Sequence, residues 1–329
     1  ALASNNTGGL TKTGNGTLIL SGSNAYTGGT ILGQGTLRLD HVHAAGSGTI
    51  TQSNASSTLQ INTTGSVTNA MSIFNVSFTE SATLTGAKTL NNATIDVATG
   101  ETVTEQGVLS GDGGLIKEGG GTYILNGSAD NTYTGATVIN EGSLVLSNSS
   151  GNAINNSASI TVNSGGTLVL GASNQIGDGI GLVLNGGTFL VGASTLSESL
   201  GTLTLSASST IDFGAYGETG FRQLTFADSS AIEWTGTLTI TNWQGVAQTS
   251  SEFTQLVFGT GGLSSTQLSQ VVWANQDING GELLDGSGEL VPIPEAPVVW
   301  GAAAVALFIA WRERRRLRFV FGAIRSKLG

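Results

Sequence analysis

The chain has 329 residues, of which 50 are Gly, 3 are Pro and none is Cys, and only 10% are charged. Zero Cys excludes a disulfide scaffold and a thiolate metal site, and abundant Thr, Val, Ile and Leu at low charge argue against disorder. The net charge of −10 is uneven: residues 1–311 carry −16 and residues 312–329 carry +6, and so acidic a body excludes nucleic acid as a partner.

The first residue is Ala1 rather than Met, which reads as the start of a processed or truncated chain. From there one word recurs, Gly-Thr/Ser-apolar-x-apolar. It stands at Gly16 to Leu20, Gly35 to Leu39, Gly142 to Leu146, Gly166 to Leu170 and Gly187 to Val191, with looser copies at Gly201 to Leu205 and Gly236 to Ile240. Side chains alternate in a strand, so the first and third apolar residues of each word share one face. The middle position varies among Ile, Arg, Val, Leu and Thr, as a solvent-facing position can. Gly ahead of the strand fits a turn that needs positive φ.

The step from Gly16 to Gly35 is close to the steps that separate Gly121, Gly142, Gly166 and Gly187. Their common period, roughly twenty residues, is about one turn of a β-solenoid with two or three short strands per coil. A β-sandwich is the alternative, but it needs only a strand pattern, whereas these words repeat in sequence.

A longer unit also repeats. Residues 8–39 contain Gly-Gly-Leu-Thr-Lys-Thr-Gly-Asn-Gly-Thr-Leu-Ile-Leu, then Tyr26-Thr27-Gly28-Gly29-Thr30; residues 113–146 contain Gly-Gly-Leu-Ile-Lys-Glu-Gly-Gly-Gly-Thr-Tyr-Ile-Leu, then Tyr133-Thr134-Gly135-Ala136-Thr137. This pair resembles the autotransporter-associated β-strand repeat, also called the passenger-associated transport repeat. The resemblance implies a right-handed parallel β-helix on the outside of a bacterium, with no catalytic activity. An autotransporter also carries an outer-membrane β-barrel, and no such segment is legible here.

Residues 206–290 change character. Trp234, Trp243 and Trp273 fall here with five Phe, while strand words continue. A solenoid must close its open end, where bare backbone groups would otherwise face water, and bulky aromatics suit such a cap. The competing role for these three Trp is stacking on glycan rings.

All three prolines, Pro292, Pro294 and Pro297, sit close together and mark an extended linker. Residues 298–311 then form an unbroken apolar and small-residue run. As a helix it spans about 21 Å, short of a roughly 30 Å hydrocarbon core. The flanking Arg312, Arg314, Arg315, Arg316 and Arg318 would snorkel at an interface, so a transmembrane helix is expected, with the arginines cytoplasmic as its stop signal. Pro294-Glu295, a short apolar helix and an Arg cluster together resemble the PEP-CTERM sorting signal, although Ala296 stands at the third motif position. That resemblance implies processing by an exosortase-like enzyme at the inner membrane, then release to the outer surface or extracellular matrix of a Gram-negative bacterium.

Catalytic and metal chemistry find little support. His41 and His43 would share a strand face near Asp40, but a solvent-exposed strand edge explains them as well. Glu118 and Glu141, about one period apart, could stack one coil above the other as the carboxylates of a polysaccharide-degrading β-helix; two solvated turn residues are the plainer account. No cofactor is expected.

The sequence therefore reads as an all-β chain: a right-handed parallel β-helix over 1–205, a β-rich aromatic cap over 206–290, and a sorting tail over 291–329 with one transmembrane helix. The expected function is structural, in the cell envelope; the alternative is an adhesin binding extracellular polysaccharide or matrix.

Overall fold

The glycine-led words become short strands that stack in parallel, residue on residue, from coil to coil. The computed structural model describes residues 7–215, 220–244, 253–274, 278–284 and 287–293. Gly142–Leu146, Gly166–Leu170 and Thr188–Val191 lie on one another with Leu144, Leu168 and Phe189 in a single column. The first and third apolar residues of these words are buried and the middle ones are half-buried, as alternation requires. The result is an all-β solenoid of the right-handed type with about ten coils. Its hydrophobic core runs through the described coils as one continuous cluster.

Three ladders form the coil. The first face holds Leu10–Lys12, Thr30–Leu32, Ile50–Gln52 and Leu109–Ser110. The second runs from Thr17–Leu20 through Thr36–Leu39, Thr58–Ile61, Leu115–Glu118, Thr137–Ile139, Ile160–Asn163 and Leu182–Asn185 to Leu203–Ala207. The third begins at Gly65–Val67 and continues to Val271–Trp273. Two long strands, Met71–Phe78 and Lys88–Val97, turn the corner and belong to the first and second faces together.

The two long sequence repeats do not lie above one another. In the first copy, Leu10–Lys12 is on face one and Thr17–Leu20 on face two. In the second, Leu115–Glu118 is on face two and Thr122–Leu125 on face three. The repeat has advanced by one side of the coil. The chain from 58 to 110 absorbs the step, because strands there occupy all three sides and the coil tightens. Gly65 pairs with Ala82 and Leu144 with Leu168, so the earlier coil closes over a distinctly shorter stretch of chain. Consequently, the loop-bearing side moves from the place of face three (residues 21–29 and 40–49) to that of face one (126–136, 147–159 and 171–181).

The repeat motif is explained by three side-chain locks. Lys12 Nζ donates to the carbonyls of Thr13, Gly14 and Gln34 at 3.0, 2.6 and 3.0 Å. Lys117 does the same to Glu118, Gly119 and Glu141 at 2.6, 2.7 and 3.3 Å. Each lysine ties its own turn to the turn of the next coil. Tyr26 and Tyr133 share hydrogen bonds with Thr30 and Thr137 at 2.6 and 2.7 Å, which fixes the loop preceding the next strand. Just ahead of each Tyr an asparagine donates to the following coil, Asn24 to the Ala44 carbonyl and Asn131 to that of Ala153, at 2.7 and 2.8 Å. Sequence reading passed over these asparagines, although their equal spacing from Tyr in both copies marks them.

Near the other end face two stops at Leu203–Ala207, while parallel stacking on the other two sides continues past residue 205. Ser209–Asp212, Leu238–Thr241 and Val271–Trp273 extend face three. Leu196–Leu200, Arg222–Phe226 and Thr254–Phe258 form a parallel ladder that takes the place of face one. Beyond the division expected between 205 and 206 the coils continue, without a strand on face two and widened by longer loops, within the unit that reaches Pro292. The word at Gly201 to Leu205 lies on face two, as do those at Gly16 and Gly35, whereas the words at Gly142, Gly166 and Gly187 lie on face three. Parallel stacking gives way to antiparallel pairing of Val271–Trp273 with Ile278–Asn279 and of Gly281–Leu283 with Leu290–Pro292. Pro292 is thus the end of a buried strand rather than part of a linker, a position that suits a residue without an N–H. Among the described residues no helix is long and apolar enough to cross a membrane. The expected helix at 298–311, with Pro294, Glu295, Pro297 and the arginines from Arg312 to Arg318, lies outside the described residues.

Gly142 shows why the words begin with glycine. Its φ is 63°, and a methyl there would collide with the Gly121 carbonyl of the coil before. Left-handed backbone costs a non-glycine residue about 1–2 kcal/mol before any clash. Gly142→Ala is expected to lower stability by at least that amount, read as an earlier denaturant midpoint; an unchanged midpoint would refute the close stacking.

Candidate functional site

The three tryptophans expected to cap the rod or stack on glycan belong to the interior. Trp273 is fully buried, Trp243 and Trp234 nearly so, and Trp243 meets Trp273 edge-on with centroids 4.9 Å apart. Trp234 Nε1 donates to the Leu203 carbonyl and Trp273 Nε1 to that of Gly280. Enclosed in this way, the rings act as core of the wide final coils, and Trp234 borders a hollow, of about 430 Å³, beside Ser264 and Gln267.

His41 and His43 sit in a turn after Thr36–Leu39, not on a strand. His41 Nδ1 accepts the His43 backbone N–H at 3.0 Å, so the pair organises its own turn. Among the described residues no group of three His, Asp or Glu could hold a metal ion.

The carboxylates lead to a more structured place. Glu118 stacks over Asp96 in the ladder and lies at the corner between faces two and three. Its Oε1 accepts from Asn140 Nδ2 at 2.6 Å; Asn140 Oδ1 accepts from Asn163 at 2.6 Å, and Asn163 Oδ1 from Asn185 at 2.8 Å. This is an amide ladder, one rung per coil, headed by a carboxylate. The same corner carries a shorter version nearer the N-terminal end, where Asn62 donates to Asp40 at 2.9 Å. The ladder forms because each residue follows the last inward position of a face-two strand, so stacking in register brings like above like.

Beside the ladder runs a shallow groove of about 720 Å³, open to solvent, with Glu141, Ser164 and Ser208 along it. It spans five successive coils. At about 4.8 Å per strand this makes a track about 19 Å long, parallel to the stacking axis. Glu118 and Glu141 both line it, but the residue stacked one coil from Glu118 is Asn140, which engages its carboxylate. A second hollow, about 440 Å³, lies among the loops and is lined by Asn152, Asn155, Asn156, Asn174 and Asp178.

Beneath the groove lies Lys117, fully buried. Burial pushes its amine down to about 8, against the pull of Asp96, Glu118 and Glu141. Two of the backbone carbonyls it holds belong to the groove's own residues, Glu118 and Glu141. The groove is therefore anchored from below.

Two comparisons bear on this architecture. Residues 10–39 and 115–146, the segments carrying the lysine and tyrosine locks, match the passenger-associated-transport-repeat family. A stretch of 140 residues, 42% of this chain, is 31% identical to the adhesin BmaC autotransporter of Brucella suis biovar 1 (strain 1330). The matched segment is 4% of that relative's length. No solved structure matches.

Lys117 titrates at lower pH folded than unfolded, so between pH 8 and 10 the unfolded chain holds more protons and stability from this group rises with pH. The stability difference between the wild type and Lys117→Met should therefore change across that window in the wild type's favour, by at most about 1.4 kcal/mol per pH unit. Above it, Tyr26, Tyr123 and Tyr133, whose pKa values burial raises, act in the opposite sense. Denaturant titrations of both proteins at pH 7, 8, 9 and 10 check this; a difference independent of pH would refute it.

Proposed function

We propose that this chain is an exported, surface-displayed adhesive rod of a Gram-negative bacterium, working by passive display and without catalysis. The observation that carries this reading is the passenger-type repeat, found twice with the same side-chain locks and set in a solenoid similar in sequence to part of an adhesin autotransporter. The fold supports it. A stacked solenoid is stiff, grows by coils and presents its loops at fixed intervals. The loops that leave it are rich in Asn, Ser and Gly, residues that offer hydrogen bonds with little charge. The test is gain of function: a non-adherent Gram-negative host displaying the full chain should bind polysaccharide-coated or matrix-coated surfaces and cultured cells several-fold better than the same host without it. If protease treatment of intact cells shows the rod to be outside and adhesion has not risen on any surface, the reading falls.

A second element concerns delivery, and a specific sequence feature favours it. Pro294-Glu295, the apolar run 298–311 and the arginines Arg312, Arg314, Arg315, Arg316 and Arg318 form the three-part arrangement of a PEP-CTERM-like tail. In this reading the inner membrane holds the chain through 298–311 while an exosortase-like enzyme removes the tail, and the rod passes to the outer surface or extracellular matrix. Mass spectrometry of the native protein from fractionated cells tests it. A C-terminus near 294–297 in the outer or extracellular fraction is expected; an intact tail in the inner membrane would make 298–311 a permanent anchor and end the sorting assignment.

A further inference from the structure

The groove beside the amide ladder is built for a particular kind of ligand. Each side-chain amide offers two N–H donors and two acceptor lone pairs. In the ladder Asn140 and Asn163 each spend one donor on the rung before and one lone pair on the rung after. Each keeps one donor and one acceptor, and Asn185 at the exposed end keeps at least one donor. The spare pairs recur every coil, about 4.8 Å apart. They are held in place by the ladder itself.

Matching a donor–acceptor pair requires a group that both gives and takes a hydrogen bond, which is what a hydroxyl does. The Ser164 hydroxyl along the track adds more of the same chemistry, and Ser208, whose oxygen accepts from the Thr237 N–H at 3.1 Å, adds a donor. Apolar ligands find little here, since Ala207 is the one apolar side chain in the lining. Anionic polymers meet Glu118 and Glu141 in the groove, within a body of strongly negative charge. A track that crosses five coils, open at the surface and repeating at even steps, fits a segment of extended polymer and not a compact small molecule.

We infer that the corner groove formed by Glu118, Asn140, Asn163 and Asn185, with Glu141, Ser164 and Ser208, is a binding track for a neutral polysaccharide lying along the solenoid axis. This deepens the adhesive reading and rests on it. It also places the sugar contact on asparagine amides at a corner and away from the buried tryptophans.

The test uses the full chain, purified, with soluble neutral polysaccharides (a mannan and a β-glucan) and the acidic polymer polygalacturonate as probes in pull-down and titration. Ser164→Trp and Ser208→Trp fill the groove from exposed turns without touching the ladder; thermal melting confirms that each folds. The wild type should bind at least one neutral polymer, and each variant should lose at least ten-fold in affinity while folded, with the melting temperature unchanged for Ser164→Trp and lowered for Ser208→Trp, which removes the acceptor of the Thr237 N–H. Asn185→Asp, which replaces a donor with a charge at the open end of the ladder, should weaken binding without blocking the groove. Binding that survives both Trp variants, a preference for polygalacturonate, or no neutral polymer bound by the wild type would each overturn the inference. Should the groove fail while displayed chains still confer adhesion, the adhesive reading stands and only this track is lost; should adhesion fail as well, both fall.

Discussion

Stacking in register constrains everything else in this molecule. Each coil must place its strands about 4.8 Å above the last with every backbone group paired, so any residue in a strand has a neighbour of equivalent position one coil away. That demand selects columns of like residues: leucines inside, small or polar residues at the corners. It also confines irregular chain to whichever side of the coil has no strand. The buried lysines of the repeat belong to the same constraint. Where a turn leaves carbonyls without ladder partners, Lys12 and Lys117 supply donors from within, which is how buried polar groups are normally satisfied.

The region where the repeat shifts by one side has a different interior. There Lys88 and Glu105 form an ion pair at 2.9 Å with both side chains almost fully buried. Glu105 also accepts from the Gly107 N–H and the Tyr123 hydroxyl. Burial lowers the Lys88 amine and raises the Glu105 carboxyl, each partly restored by the other. Such a pair adds little net stability, but losing one partner leaves an uncompensated buried charge. It spans faces one and three within the tight coils. It therefore penalises any register in which the two residues do not meet, at the place where the chain could most easily slip.

The strand words and the coil period were legible because they are local and repeated: a Leu-x-Leu pattern after a glycine says nearly all there is to say about one rung. The advance of the repeat by one side was not. It depends on how many strands lie between two similar segments, and the chain from 58 to 110 gives no sign in composition that all three sides are filled. The tryptophans were misleading for a related reason. Trp234, Trp243 and Trp273 look alike as cap, core or ligand platform, and only the widened coils around them make them core. The asparagine ladder was hidden because Asn140, Asn163 and Asn185 are ordinary singly and gain meaning only when each is set one coil above the last. The spacing of Glu118 and Glu141 is legible, but the ladder pairs Glu118 with an amide rather than with the second carboxylate.

The shift of the loop-bearing side has a consequence for display. Near the N-terminal end the loops leave from the place of face three, and farther along they leave from that of face one. The corner between faces two and three therefore runs beside loops early in the rod. It is clear of them along the stretch from Glu118 to Asn185, where the ladder is longest and the groove opens. The sequence advance that disrupts the simple repeat is thus what exposes the ladder. A rod whose copies stacked in perfect phase would have kept its loops on one side throughout, and the even polar edge would have stood beside them for its whole length.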